Sequence, residues 1–441
     1  MNTELWFTLV SLKKTISFSL AGKPDEIDIY ILELFHAFGA EIDFERFKIT
    51  ITSLSENTEL LRNRVYIYVS KYCTHSPAIN KLNDFFRLLD DNEKFYFLPG
   101  IKKLTQKQAM ETCLELLYHV NGDIDFNYNR GKFSETFDYF LDKYSIEGKI
   151  SDKKIRIGEG LKSKRVCRFC NNTRDEITRF SQEAHAISES LGNKTIILNE
   201  ECDACNKYFS ETIERDIDTY HKIWATFFKV KNKDNKVPKI KGKNFELFQN
   251  STSSGPDHVL MYKPSEDDEG CDKSTPPKNI PLEFNAKVRM QNIYKALVKF
   301  SLSVIDSDDI NRFIKTISWI SSDLYYKKLP KVALLKSYHG FSKGAELKVY
   351  LRKDDDVRLP SAVGEFQFTF LKYVFIIPTF DNNECDFTED DNYEFFWSFF
   401  KFYHYEKHWE YQCFSNSEAK DFVFNIILDL KPGNNQNQSD T

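Results

Sequence analysis

The chain has no long apolar run. The longest stretch, FTFLKYVFIIP at residues 368–378, contains a lysine and is too short to span a bilayer. The apolar stretch at residues 5–12 is also short, and no basic segment precedes it, so no signal peptide is expected. From these absences we expect a cytoplasmic protein that has no membrane partner.

Neither sign of charge is in large excess. The chain has 61 Lys and Arg against 66 Asp and Glu, and a net charge of −5 argues against binding nucleic acid over the whole surface. The basic residues are instead clustered: eight lie between Lys149 and Arg168, and seven lysines lie between Lys229 and Lys243. Such runs either neutralise phosphates or form solvated loops, and the sequence leaves both interpretations open.

Cysteine is scarce, and most of it follows no regular spacing. Five of the nine cysteines are scattered, at Cys73, Cys113, Cys271, Cys385 and Cys413. This pattern argues against a secreted disulfide scaffold and favours a reducing compartment. The first 150 residues contain no glycine-rich phosphate loop and no paired catalytic residues, so no motif there indicates a function.

The other four cysteines form two short pairs. Cys167-Arg-Phe-Cys170 and Cys202-Asp-Ala-Cys205 are separated by 31 residues. Thiolates at C-x-x-C spacing can hold one tetrahedral Zn²⁺ from two sides. The sequence therefore predicts a structural zinc site with four cysteine ligands. A zinc knuckle that only holds the fold or binds nucleic acid is the alternative.

The segment that contains these pairs resembles the zinc-stapled branch of the HNH endonucleases. Residues 167–214 read CRFCNNTRDEITRFSQEAHAISESLGNKTIILNEECDACNKYFSETIE. They follow the family order of C-x-x-C, an acidic residue and a histidine with a Leu-Gly segment, and then C-x-x-C-Asn. The resemblance implies a ββα-metal finger, in which two short strands and a helix hold a hydrolytic metal ion.

The resemblance also implies roles for single residues. His185 matches the general base that deprotonates water, a role that suits a neutral imidazole with a pKa of about 6.5. Asn206 matches a ligand of the catalytic ion, Mg²⁺ or Mn²⁺, although an asparagine there can also cap the helix. Zinc is then structural and magnesium catalytic, because thiolates suit the first ion and oxygen ligands suit the second. Asn199 is a candidate for the asparagine that braces the family's loop.

One position departs from the family pattern. The residue before the histidine is usually Asp or Glu and a second ligand of the catalytic ion, but here it is Ala184. Because neighbouring residues in a strand face opposite ways, Glu183 and His185 are expected to share a face. Glu183 is therefore a candidate ligand. Glu211 and Glu214, on the helix that follows, are the alternatives.

Length and pattern predict an α+β fold of several domains. We predict a mixed α/β domain at 1–150, the HNH finger at 160–228, a basic segment and linker at 229–281, a C-terminal α+β domain at 282–431 and a disordered tail at 432–441. Strands are predicted at 46–52, 64–69 and 365–377, and helices at 106–120 and 206–227. The aromatic run at 395–403 either packs in a core or stacks on bases.

These patterns together predict an HNH endonuclease that hydrolyses DNA phosphodiester bonds by a one-metal mechanism. The flanking domains indicate an activity that is targeted or gated, with a regulatory partner protein as a candidate. By similarity, HNH enzymes with extra domains often belong to anti-phage defence or to mobile-element systems. Two alternatives stay open. One is a non-catalytic zinc finger that binds nucleic acid or a partner, favoured by Ala184. The other is an RNA-directed HNH nuclease, because the finger grips only the nucleic-acid backbone.

Overall fold

The computed structural model describes residues 3–43, 46, 48–121, 131, 139–148, 154–175, 177–232, 234–250, 258–263, 279–336, 342–400 and 409–427. The chain divides into two compact units, Met1–Asp142 and Lys143–Thr441. The tail at 432–441 and residues 233, 251–257 and 264–278 of the predicted basic segment and linker lie outside the described residues. None of the described helices is long and apolar enough to cross a membrane. The finer division of the second unit at 160–228, 229–281 and 282–431 stays a prediction.

The first unit is built on an antiparallel sheet. Its elements are β1 (Thr3–Val10), β2 (Thr15–Gly22), α1 (Pro24–Ala37), β3 (Glu41–Asp43), β4 (Lys48–Thr50), β5 (Leu54–Glu56), α2 (Glu59–Tyr72), α3 (Asn80–Phe86), β6 (Lys94–Pro99) and α4 (Gln106–Asn121). The strand order is β2-β1-β6-β5, and β3 pairs with β4. Alternate residues of β2 are buried, as expected of a sheet with one face on a core. The predicted helix at 106–120 is confirmed, and Thr105 accepts a hydrogen bond from the Gln108 amide at 3.2 Å.

The strand predicted at 64–69 is wrong, because these residues belong to helix α2. The helix begins after Thr58, whose side chain accepts a hydrogen bond from the Leu61 amide. The buried residues of this helix recur three and four positions apart, at Leu61, Val65, Tyr68, Val69 and Tyr72. The short window RVYIYV alternates like a strand, and only the longer window shows the helical period.

The second unit contains the cysteine pairs and the C-terminal half of the chain. The short helix α5 (Tyr139–Lys143) spans the division between residues 142 and 143. The elements that follow it are β7 (Tyr144–Gly148), β8 (Ile155–Ile157), β9 (Ala184–His185), β10 (Ile196–Leu198), α6 (Asp203–Glu211), α7 (Ile213–Phe227), β11 (Ile240–Lys241), β12 (Phe245–Gln249), β13 (His258–Tyr262), β14 (Asn279–Val288), α8 (Met290–Val304), α9 (Ile314–Ile320), β15 (Val332–Lys336), β16 (Ser342–Arg352), β17 (Ala362–Thr369), β18 (Leu371–Ile376), α10 (Asp390–Phe399), β19 (Trp409–Gln412) and β20 (Lys420–Ile427).

A six-stranded antiparallel sheet and helix α8 form the centre of this unit. The strand order is β19-β15-β18-β17-β16-β7. Helix α8 is buried on all sides from Gln291 to Val304 and packs against α7, β16 and β17. Phe209 and Ile217, from the segment after the second cysteine pair, share one hydrophobic core with Tyr294 of α8 and Phe366 of the sheet. The cysteine segment is thus anchored on the C-terminal half of the chain.

Two elements predicted as continuous are divided. The helix predicted at 206–227 begins earlier, at Asp203, and breaks at Thr212, whose backbone has φ −114° and ψ −93°. The strand predicted at 365–377 is a hairpin of β17 and β18, which turns at Thr369 with φ 55°. In the aromatic run the described Phe396, Trp397, Phe399 and Phe400 are buried, which favours the core interpretation.

Candidate active site

A small sheet and a helix place the two cysteine pairs beside each other. Strand β9 pairs antiparallel with β10, with His185 opposite Ile197, and β8 pairs with β10 in parallel. Helix α6 follows directly after β10. Ala184 is buried. The chain therefore runs through two strands and then a helix, and His185 lies on the first of these strands and Asn206 on the helix.

The loop between β9 and β10 is braced by Asn193. Its Nδ2 donates to the carbonyl oxygens of Ile187 at 3.0 Å and Ile196 at 3.3 Å, and its Oδ1 accepts from the amide of Ile196 at 3.3 Å. Asn199, the candidate for this role from the sequence, is buried, and its Oδ1 has no hydrogen-bond partner among the described residues. The sequence signal that was missed is an asparagine directly after Gly192, which has φ 84°.

The four cysteines of the two pairs converge on one point. Their sulfur atoms all lie within 4.8 Å of one another, and Cys170 Sγ is 3.8 Å from Cys202 Sγ. Zn–S bonds of about 2.3 Å in a tetrahedron place sulfurs about 3.8 Å apart, so the spacing fits zinc. Within the described part of the chain, no other group of three or more His, Cys, Asp or Glu residues converges in this way.

The charges of these thiols also fit a metal ion. The pKa of Cys167 is lowered to about 5, because the Cys205 thiol donates to its sulfur and backbone amides add further hydrogen bonds. The pKa of Cys205 is raised, because that proton is held against the Cys167 thiolate and because the group is buried. One thiolate therefore suppresses the ionisation of its neighbour, and a divalent cation removes that conflict.

A cavity of about 460 Å³ lies beside this cluster. Its walls include the side chains of Glu183, His185, Glu189, Asn206, Glu214 and Asp218. Asn206 does not cap the helix, since the cap is Cys202, whose sulfur accepts from the Cys205 amide. Asn206 instead reaches Gln182, to whose Oε1 its Nδ2 donates at 3.4 Å. The structure thus brings Glu183, His185 and Asn206 to one cavity, whereas Glu211 does not line it.

His185 is mostly buried, with 14% of its side chain exposed. Its Nε2 lies 3.3 Å from Oε1 of Glu189, and its Nδ1 is buried without a hydrogen-bond partner among the described residues. Burial lowers the pKa of His185 below 6.5, and the carboxylates of Glu189 and Glu183 oppose that shift. The imidazole is therefore held in its neutral form at neutral pH. Glu189 was not found from the sequence; its signal is a carboxylate four residues after the histidine.

The carboxylate of Glu183 is engaged by two cations. Lys154 and Arg156, the latter on β8, both donate to it, and these hydrogen bonds lower its pKa. Its side chain is 41% exposed and lines the cavity, so both ion pairs are in contact with solvent beside the cavity. Lys154 and Arg156 belong to the basic run at 149–168, which places part of that run at the site.

Residues 167–219 match the family model described as HNH endonuclease. The matched segment contains the converging cysteines, His185 and Asn206. It is an HNH endonuclease domain. No curated protein and no solved structure matches the chain. An HNH domain implies a nuclease, and hence a nucleic-acid substrate, and HNH nucleases use divalent metal ions.

A buried lysine ties the HNH domain to helix α8. Lys299 has no exposed surface, and its Nζ lies 3.1 Å from Glu201 Oε2 and 2.8 Å from Glu214 Oε1. Glu201 directly precedes Cys202 of the four-cysteine cluster, and Glu214 lines the cavity. Burial raises the pKa of Glu201 to about 7, although Lys299 opposes that shift. One cation therefore contacts a carboxylate beside the cysteine cluster and a carboxylate in the cavity wall.

Asp218 also lines the cavity. It accepts a hydrogen bond from Ser188 Oγ at 3.1 Å, while its Oδ1 is buried without a partner among the described residues. Burial raises the pKa of Asp218 to about 7. Because Ser188 directly precedes Glu189, this hydrogen bond fixes the loop that carries the carboxylate facing His185.

Replacing Lys299 by methionine is expected to lower the free energy of unfolding by about 3–5 kcal/mol, because it leaves two buried carboxylates without their cation. Urea denaturation followed by circular dichroism measures the change. Lys295→Met is the matched control. Lys295 lies on the same helix, is equally buried, and donates to the Ser322 carbonyl instead of a carboxylate. Equal losses for the two variants would show that the ion network contributes nothing specific.

Proposed function

We propose that this protein is an endonuclease that hydrolyses DNA phosphodiester bonds in the cavity of its HNH domain. The observation that carries the proposal is the convergence of His185, Asn206 and several carboxylates on one cavity beside the four-cysteine cluster. The cysteines would hold structural Zn²⁺. Asn206 and a neighbouring carboxylate, for which Glu183 is the candidate predicted from sequence, would hold a catalytic Mg²⁺ or Mn²⁺.

His185 acts as the general base in this mechanism. It takes a proton from water, the resulting hydroxide attacks phosphorus, and the bond between phosphorus and the 3′ oxygen breaks. The 3′ oxygen takes up a proton from solvent, so one product end carries a 3′ hydroxyl and the other a 5′ phosphate. A divalent ion held by Asn206 and a carboxylate would supply positive charge that stabilises the phosphate and the leaving oxygen. Lys154 and Arg156 supply positive charge for neighbouring phosphates beside the cavity.

Glu189 determines which nitrogen of His185 can accept the proton. A carboxylate 3.3 Å from Nε2 favours the neutral ring with its proton on Nε2, and the lone pair is then on Nδ1. Because Nδ1 is covered in the structure, we expect the ring or its cover to move when the substrate binds.

Side-by-side digestion tests the proposed function. The zinc-loaded protein is incubated with supercoiled plasmid and with structured RNA, each with Mg²⁺ or Mn²⁺ and each with EDTA. We expect metal-dependent nicking of the plasmid and no cleavage of the RNA. Cleavage of RNA alone would overturn the choice of DNA and establish the RNA-directed alternative.

The rate of cleavage is expected to depend on pH through His185. A general base must be neutral, and burial lowers the pKa of His185, so the ring loses its proton below pH 6.5. At saturating Mn²⁺ the rate should therefore rise with pH along a limb whose midpoint lies below 6.5 and then level off by neutral pH. Initial rates of plasmid nicking from pH 5 to pH 8 measure this profile. A limb centred above pH 7 would contradict the assignment.

A non-catalytic finger is the second candidate. It is favoured by the alanine before His185, which is buried, and by Glu183, whose carboxylate is already paired with two cations. This candidate predicts stoichiometric zinc and binding of nucleic acid, with no metal-dependent cleavage. The digestion experiment therefore separates the two functions.

We also propose that the nuclease is gated by a partner protein and that it acts in the cytoplasm in anti-phage defence. An unregulated nuclease harms its own cell, and the chain adds a separate compact unit, Met1–Asp142, that carries no part of the HNH motif. Co-purification with a native partner, and a change of cleavage rate when that partner is added, test the gating.

A further inference from the structure

The carboxylates that line the HNH cavity differ in what holds them. Glu183 is half exposed and paired with Lys154 and Arg156. Glu189 faces the imidazole of His185. Glu214 is the one whose side chain, only 10% exposed, is fixed by a fully buried lysine. A carboxylate held in this way is already in place before an ion arrives.

We propose that Glu214 is the carboxylate ligand of the catalytic ion, replacing the acid that the family has where this chain has Ala184, and that Lys299 is its positioning residue. The proposal rests on the function proposed above, because it names a ligand for that same site.

Glu214 presents one oxygen to the lysine and the other to the cavity. Oε1 is buried 2.8 Å from Lys299 Nζ, and the side chain as a whole keeps 10% of its surface exposed. Since Glu214 lines the cavity, Oε2 is the oxygen that an ion there can reach. Carboxylates that bind Mg²⁺ commonly use one oxygen, and Mg²⁺ completes its shell with water and substrate phosphate.

Glu214 lines the same cavity as Asn206. Asn206, Ser210 and Glu214 follow one another at intervals of four residues, and all three line the cavity. Asn206 and Ser210 share a face of α6 because residues four apart lie on the same side of a helix, and Glu214 reaches the same cavity from α7, after the break at Thr212. The proposed amide ligand and the proposed carboxylate ligand therefore face one cavity.

The lysine holds Glu214 in position while it is shared with a second carboxylate. Its Nζ also lies 3.1 Å from Glu201 Oε2, so neither carboxylate has the cation to itself. Partners of this kind hold a metal ligand in place, and their loss commonly weakens metal affinity by about 10–100-fold.

The other carboxylates are less suitable as ligands. Glu183 would have to release Lys154 and Arg156, and Glu211 is exposed, contacts Lys207 at 3.9 Å and does not line the cavity. Asp218 accepts a hydrogen bond from Ser188, which follows β9 in the chain. Asn206 instead contacts Gln182, which precedes β9.

Binding of Mn²⁺ to the zinc-loaded full chain, measured by electron paramagnetic resonance, tests the assignment without relying on activity. We expect Glu214→Gln to weaken Mn²⁺ binding at least about 10-fold, with zinc content and melting temperature close to those of the unmutated protein. Glu211→Gln removes the same charge from the neighbouring helix and should leave binding unchanged. Asn206→Ala, at the other proposed ligand, should weaken binding as well.

The outcomes separate this inference from the proposed function. If Asn206→Ala loses Mn²⁺ while Glu214→Gln retains it, the Glu214 assignment is overturned and the nuclease mechanism stands. If the unmutated protein neither binds Mn²⁺ nor cleaves, both are overturned. Lys299→Met should weaken binding in the chain that has Glu214 and have no further effect in Glu214→Gln, because it acts through that carboxylate. If Lys299→Met and Glu214→Gln instead weaken Mn²⁺ binding additively in folded protein, Lys299 does not act by positioning Glu214.

Discussion

Replacement of His185 by alanine is expected to reduce metal-dependent cleavage by about 10²–10⁴-fold, the range that a general base contributes. The residue lines the cavity with Asn206, and its imidazole is held neutral by burial. Zinc content should not change, since the ring does not contact the four-cysteine cluster that binds zinc in this account. Single-turnover nicking of plasmid at saturating Mn²⁺, with zinc measured in the same samples, gives the ratio of rates.

Ser210→Ala is the control for disturbance of the cavity wall. Ser210 also lines the cavity, and its hydroxyl donates only to the Lys207 carbonyl within its own helix. We expect this variant to cleave within a few-fold of the unmutated protein. Cleavage by His185→Ala at the same rate as by Ser210→Ala would remove the histidine from the mechanism.

Replacement of Cys202 by serine is expected to abolish zinc binding and to unfold the HNH segment. Cys202 is buried, belongs to the four-cysteine cluster and caps helix α6. Structural zinc contributes apparent binding free energies of about 10–16 kcal/mol in small fingers, and the HNH segment shares its core with helix α8 and the large sheet. We therefore expect a fall in melting temperature of more than about 10 °C. Differential scanning calorimetry, together with metal analysis, measures both changes.

Cys413→Ser is the matched control for this variant. Cys413 is exposed and lies outside the cluster. It should retain one zinc ion per chain and the melting temperature of the unmutated protein. Retention of zinc by Cys202→Ser would show that the four sulfurs do not act as one site.

The four-cysteine cluster and the HNH segment were predictable because their signal is local. Two C-x-x-C pairs fix the ligand types and their reach, and the histidine and asparagine occupy set positions between and after them. The structure brings the four sulfurs together and places Glu183, His185 and Asn206 at one cavity, while the roles of these residues stay predictions.

The supporting residues were not predictable, because their partners are distant in sequence. Lys299 reads as a lysine in an apolar helical pattern, and nothing nearby indicates that it meets Glu201 and Glu214. Such pairings depend on how helix α8 packs against the HNH domain, which a single sequence does not reveal. The bracing role of Asn193 depends likewise on the path of the loop between β9 and β10.

The errors in secondary structure have similar causes. The alternating window at 64–69 competed with a longer helical period, and the packing of its apolar face decided in favour of the helix. No proline or glycine lies near Thr212, so the sequence gives no sign of the helix break there. It separates the short helix that carries Cys205 and Asn206 from the longer helix that packs on α8.

The most direct test of metal-dependent DNA cleavage is to add Mn²⁺ to zinc-loaded protein that has been freed of other divalent ions and mixed with supercoiled plasmid. We expect no nicking before the addition and nicking after it. DNA ligase should reseal these nicks, because they carry a 5′ phosphate and a 3′ hydroxyl. Nicking that is independent of added metal, or no nicking at any Mn²⁺ concentration by protein that retains its zinc, would contradict the proposed function.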